Sequence, residues 1–117
     1  MEAKELRINN YYLSTKFNTP VKCSIEDFYN LCVDCDGAEL DSDIIGNVFK
    51  PIPLTEEWRL KAGFVNDKLK AAHNTIIWYN NHIGIKGMLG VVKPVECKYV
   101  HQLQNLFFAL TGTELDL

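Results

Sequence analysis

The sequence has 117 residues, which fits one domain and buries roughly two-thirds of the unfolded surface, enough for a core without staples. Hydrophobic residues at 47% and charged residues at 23% are globular proportions and exclude a disordered chain. A net charge of −3 weighs against nucleic acids and anionic membranes as partners, and the densest basic stretch (Arg59, Lys61, Lys68, Lys70) is interrupted by Glu57 and Asp67.

The opening Met1–Arg7 is charged and no apolar stretch follows it, so no signal peptide is expected. No apolar run approaches the ~18 residues of a membrane span. Cys23, Cys32, Cys35 and Cys97 are accordingly expected as thiols of a reducing cytoplasm.

In chain order, Tyr11-Tyr12-Leu13 and Val21-Lys22-Cys23 read as short strands around the turn signal Asn18-Thr19-Pro20. Ser24 and Asp27 then resemble a capping box, with Ile25, Phe28 and Leu31 or Cys32 spaced for one helical face. The rival reading alternates Tyr29, Leu31 and Val33 as a strand turning at Asp36-Gly37, and the helix is preferred over residues 24–33. Pro51 and Pro53 enforce an extended approach to a second helix. Thr55 is its N-cap, Glu56 and Glu57 complement the dipole of the first turn, and Lys61 lies at the other end. Gly63 fits the left-handed position after that helix, with Phe64 folding back on Trp58 or Arg59.

Residues 75–86 read as a hairpin turning at Asn80-Asn81, since asparagine tolerates the positive φ of a type I′ turn. That register sets Trp78 against Ile83 and Ile76 against Ile85 on an apolar face. The other face is mixed: Thr75, Ile77 and Tyr79 against His82, Gly84 and Lys86. Gly87 and Gly90 bracket a further turn, with Val91-Val92 a candidate strand. Val100, Leu103, Leu106, Phe107 and Leu110 form a helical stripe over about 100–112, ended by Gly112 and covering the apolar side of the hairpin.

Pro51 to Phe64, PIPLTEEWRLKAGF, resembles the PIPLTEEWLLKFGF segment of short proteins from gut Bacteroidales bacteria and their phages and mobile elements. Tyr99 to Leu115, YVHQLQNLFFALTGTEL, resembles their closing YVHQLQNLYFALTGEEL, and Leu6-Arg7-Ile8-Asn9-Asn10-Tyr11 is similar to their LRIGNY start with Asn9 in place of glycine. These stretches cover about a third of the chain. The resemblance implies a phage- or mobile-element-type accessory protein of a bacterial cytoplasm. It brings no catalytic residue or cofactor with it, and it places the cysteine-bearing middle block in the variable part of such chains.

Two metal readings follow from spacing. Cys32-x-x-Cys35 with Cys97-x₃-His101 supplies three thiolates and an imidazole, the donor set of a closed zinc site, although the second pair lacks zinc-ribbon spacing. The acidic run Asp34, Asp36, Glu39, Asp41, Asp43 fails as a calcium loop, because Gly37 falls at position four and Ile45 at position twelve. No nucleophile elbow, P-loop, dinucleotide fingerprint or zinc-protease helix occurs. His73 and His82 have no carboxylate nearby in sequence.

On the last helix, His101, Gln104, Asn105 and Phe108 share the side away from the apolar stripe. An aromatic ring amid polar groups suits an interface anchor. The preferred reading packs the N-terminal block over this face and makes Phe108 core.

The sequence therefore predicts one α+β domain over 1–117, with two to five short antiparallel strands and three helices. The hairpin at 75–86 is expected to pack on the helix at 100–112. The expected activity is non-enzymatic and cofactor-free: binding of an unidentified protein or self-association in the cytoplasm, without nucleic acid or membrane. The alternatives are a zinc-binding regulator using Cys32, Cys35, Cys97 and His101, and an enzyme with a site assembled across blocks.

Overall fold

Several reversals of the chain turn at asparagines with positive φ. The computed structural model describes residues 6–34 and 48–117, which fall into two units, Met1–Ile52 and Pro53–Leu117. In the first unit the Asn10 N–H donates to the Arg7 carbonyl at 3.2 Å, and Asn9 holds a left-handed φ of 76° at that turn. Asparagine accepts this region because its short side chain bonds locally. The chain then enters β1 (Tyr11–Ser14), which pairs antiparallel with β2 (Thr19–Lys22). The reversal occupies Thr15–Asn18, closed by Asn18 N–H to the Ser14 carbonyl at 2.7 Å. Thr19 and Pro20, expected in the turn, lie in β2 instead, with Pro20 opposite Leu13. Proline is tolerated there because β2 is an outer strand of the sheet β2-β1-β3, where β3 is Phe49–Lys50.

Tyr12 is fully buried, with its ring 5.5 Å from that of Phe49. Its hydroxyl accepts from the Arg7 N–H at 2.9 Å. Cys23 is tied across the turn by Asn9 N–H to the Cys23 carbonyl at 2.7 Å and Cys23 N–H to the Asn10 carbonyl at 2.8 Å.

Residues 25–34 form a helix, α1 (Ile25–Asp34), which settles the strand alternative. Its cap is reciprocal. Ser24 Oγ accepts from the Asp27 N–H at 3.1 Å, and Asp27 Oδ2 accepts from the Ser24 N–H at 3.0 Å and its hydroxyl at 2.9 Å. Ile25, expected on the apolar stripe of this helix, is 73% exposed. The side chains of Phe28, Leu31 and Cys32 lie outside the described set.

In the second unit Thr55 caps α2 (Glu56–Ala62), accepting from the Trp58 N–H at 3.5 Å. The helix ends as the sequence predicts. Gly63 has φ 104°, its N–H donates to the Leu60 carbonyl at 3.1 Å, and the Phe64 N–H reaches the Arg59 carbonyl at 3.1 Å, which is a Schellman closure. A tight turn with Asn66 and Asp67 at φ 51° and 61° then leads into β4 (Lys68–Ala71). There follow β5 (Asn74–Tyr79), β6 (His82–Lys86) and β7 (Val92–Val95) in an antiparallel sheet of order β4-β5-β6-β7.

The hairpin register is the expected one, Trp78 opposite Ile83 and Ile76 opposite Ile85, around Asn80 and Asn81 at φ 48° and 61°. Gly90 closes the next loop by donating to the Gly87 carbonyl at 3.1 Å.

α3 (Val100–Thr111) starts with Gln102 Oε1 accepting from the N–H groups of Lys98 at 2.7 Å and Tyr99 at 3.2 Å. It ends at Gly112, with φ 73°, whose N–H donates to the Phe108 carbonyl at 2.7 Å. α3 lies against the sheet at β4. Val100 and Leu103 of the helix are fully buried, as are Ile76 and Ile83 of the sheet. The fold is mixed α+β, with two antiparallel sheets among the described residues. Its seven described strands exceed the expected two to five by β3 and β4, which the sequence pattern leaves unmarked.

Candidate interaction surfaces

Successive side chains of a strand point to opposite faces, so the register of the β4–β7 sheet assigns every residue to a side. Leu69, Ile76 and Ile83 take the inner face and are at most 9% exposed. Lys68, Ile77 and Gly84 stand in one row of the outer face, and Lys70, Thr75 and Lys86 in the next. Tyr79 and His82 form the last pair on that side, with ring centroids 4.4 Å apart. A concavity of about 350 Å³ opens among Lys68, Lys70, His73, Thr75, Ile77 and Lys86.

Beside it, the β6–β7 loop carries the two most exposed large apolar side chains of the unit, Leu89 and Met88, together with Val91. Met88 is 83%, Leu89 94% and Val91 60% exposed. The loop walls a groove of about 630 Å³ whose floor includes Ile85 and Val95 and whose rim includes Lys93.

A third cleft, of about 660 Å³, lies by the Asn80-Asn81 turn between Leu54, Trp78, His82 and Cys97. The Arg59 guanidinium lies 3.9 Å from the Trp78 ring centroid and donates to the Leu54 carbonyl at 3.3 Å. The His82 Nδ1 lies 3.0 Å from the Asn80 carbonyl. A carbonyl only accepts, so Nδ1 carries the hydrogen and Nε2 of the neutral ring is left as an acceptor. Cys97 is the thiol here, and burial pushes it up to about 12, so it stays protonated and poorly nucleophilic.

The residues singled out from sequence are dispersed by burial. His101 and Gln104 are 0% and 1% exposed, Asn105 is half-buried, and Phe108 is 41% exposed. Trp58 is half-buried, with the Lys61 ammonium 4.6 Å from its ring centroid. Of the zinc set, Cys97 and His101 are both buried, while Cys35 and the Cys32 side chain lie outside the described residues. Among the described residues no three of His, Cys, Asp and Glu gather as a metal site. The acidic positions Asp36, Glu39, Asp41 and Asp43 also lie outside the described residues. No helix among the described residues is long and apolar enough to cross a membrane.

The exposed loop was missed because Gly87 and Gly90 mark a turn without saying that the apolar residues between them face water. The outer face was present in the hairpin register, but its two β4 lysines join it only through a strand the pattern does not mark.

No protein-family model, curated protein or solved structure matches the chain.

Proposed function

We propose that the protein is a non-enzymatic accessory module that docks a partner protein through the β6–β7 loop. The observation that carries this is the row Met88, Leu89 and Val91, exposed at 83%, 94% and 60% beside an apolar groove. Burying such side chains in an interface contributes roughly 1.5–3 kcal/mol each before the costs of association are met. Lys86 and Lys93 flank the loop, and no Asp or Glu occurs from Lys68 to Val95. The partner therefore presents an apolar face with carboxylates at its rim. The resemblance to short Bacteroidales and phage proteins supports an accessory role in a bacterial cytoplasm.

Leu89→Asp tests the docking surface. The side chain touches little of its own protein, so the melting temperature is expected to stay within about 2 °C of the wild type. Cross-linking in a host lysate, followed by mass spectrometry, should show a protein bound by the wild type and lost in the variant. An unchanged cross-linking pattern would sink the proposal. Sedimentation velocity of the purified chain separates the other occupant: a wild-type dimer dissolved by Leu89→Asp would replace the partner with a second copy.

A further inference from the structure

The net charge of −3 is an average over two unlike halves. Residues 1–52 carry nine Asp and Glu against five Lys and Arg, whereas residues 53–117 carry six against seven. The segregation sharpens inside the second unit. The whole stretch from Lys68 to Val95, which is the four-stranded sheet, contains Lys68, Lys70, Lys86 and Lys93 and no acidic residue. Three of the four lysines stand on the outer face, because Lys68 is opposite Ile77, Lys70 opposite Thr75, and Thr75 in turn opposite Lys86. All three are exposed. Two residues along a strand span about 6.7 Å and two strands across about 9.6 Å, so three ammonium groups ring one concavity. The exposed His73 lines the same concavity.

The same face carries an aromatic end. Tyr79 and His82 are half-buried neighbours, and Tyr79 reaches over Gly84, where a side chain would stand only 2.5 Å from its ring edge. From Thr75 to Tyr79 the strand runs about 13 Å, a few nucleotides of extended chain. Cations at one end and half-exposed aromatic rings at the other, on one side of the sheet, are the two components that hold a phosphodiester chain with unpaired bases.

We infer that the outer face of the β4–β7 sheet binds single-stranded nucleic acid, Lys68, Lys70 and Lys86 meeting phosphates and the Tyr79–His82 pair stacking on a base. This goes beyond partner docking at the β6–β7 loop and is independent of it. A charged peptide is the rival polyanion, but it offers nothing for the ring pair. A duplex hides its bases from such a surface.

The test is fluorescence anisotropy of a labelled fifteen-residue oligothymidylate titrated with the full chain between about 20 and 200 mM NaCl. Three phosphate contacts predict a slope of log K against log salt near −2, at ~0.7 per contact for a single strand. Lys68→Gln/Lys70→Gln/Lys86→Gln should flatten that slope and weaken binding at least about tenfold at low salt. Tyr79→Ser should weaken binding roughly five- to hundredfold with little change in slope, since stacking releases no counterions. Circular dichroism melts check that each variant is folded, and Lys16→Gln/Lys22→Gln/Lys50→Gln removes equal charge from the other unit. Four results would overturn the inference: no binding at 20 mM salt, equal loss in the Lys16/Lys22/Lys50 variant, equal affinity for a duplex of the same length, or full competition by polyglutamate.

Discussion

Gly84 is the position where sheet geometry and the proposed surface meet, and replacing it with alanine gives a quantitative test. A Cβ at Gly84 would lie 2.5 Å from Tyr79 Cε1, 2.9 Å from Val92 Cγ1 and 3.3 Å from the Lys93 carbonyl oxygen. Gly84 does not have a positive φ, so alanine meets no backbone penalty there. By itself the exchange would even stabilise by roughly 0.5–1 kcal/mol, because glycine loses the most freedom on entering a strand. Against that stand two contacts shorter than atoms tolerate. Val92 is 37% exposed and has room to rotate, but Tyr79 is paired with His82 and the Lys93 carbonyl belongs to the backbone of β7. Overpacking of this kind costs roughly 1–3 kcal/mol. The clash wins, and Gly84→Ala is expected to destabilise by about 0.5–2 kcal/mol.

Urea unfolding reads this directly as a lower midpoint with an unchanged slope. The decisive comparison is the same exchange in a Tyr79→Ser background. There the nearest obstruction is gone, and alanine should be neutral or slightly stabilising. The double-mutant cycle then gives a coupling of about 1–2 kcal/mol. Equal destabilisation in both backgrounds would refute the placement of the Tyr79 ring over Gly84, and the aromatic end of the outer face with it.

Three further perturbations test other parts of the two units. Gly63→Ala forces a Cβ into φ 104°, so a loss of roughly 1–2 kcal/mol is expected in thermal or urea unfolding; a neutral result would contradict the Schellman end of α2. Ser24→Ala removes the hydroxyl of the α1 cap and should cost about 1 kcal/mol, read as a reduced urea midpoint. At alkaline pH, burial raises Cys97 to about 12 and Cys23 to about 11, both from 9.0, and raises Tyr12 above 10.0. Above about pH 9 the unfolded chain then releases protons that the folded chain keeps, so stability should fall from there and level off only near pH 12. Urea midpoints at pH 8 and pH 10.5 measure it, and a flat profile would show that these groups are not buried in the native state.

What the sequence discloses depends on whether a local group of residues decides the conformation. Thr55, Gly63 and Phe64 fix both ends of α2 without help from distant contacts. Asn80-Asn81 fixes the hairpin register, because a slip of one residue would carry Trp78 and Ile83 to the wrong side. Gly112 ends α3 for the same reason that Gly63 ends α2. β4 has no such mark. Its turn to β5 runs through Ala72 and His73, and Ala72 adopts φ 56° with nothing in its chemistry to announce it. The Asn66-Asp67 turn before it did carry a signal, two residues tolerant of positive φ, that strand patterning overlooks when the strand following is only Lys-Leu-Lys-Ala. The polar side of α3 marks a limit of helical periodicity. His101 and Gln104 fall off the apolar stripe and are buried all the same, since a helical wheel says which residues share a side but not how many sides are covered.

The position of prolines and lysines explains why two exposed surfaces are compatible with a well-behaved sheet protein. An open strand edge is a template for another strand, and natural sheets blunt it with proline, charge or brevity. Here β2 carries Pro20, β7 carries Pro94, β3 is two residues long, and β4 presents Lys68 and Lys70. Each outer strand of both sheets is thereby made a poor partner for strand addition. Association is left to what the edges do not supply, namely the apolar tip of the β6–β7 loop and the cationic outer face. The two surfaces differ in their physics. Contacts of Met88, Leu89 and Val91 bury apolar area and depend weakly on salt, whereas contacts of Lys68, Lys70 and Lys86 release counterions and weaken steeply as salt rises. A titration of salt against each binding event therefore separates them without any mutation. Binding that changes little between about 20 and 200 mM NaCl belongs to the loop, and binding that falls about a hundredfold over that range belongs to the sheet face.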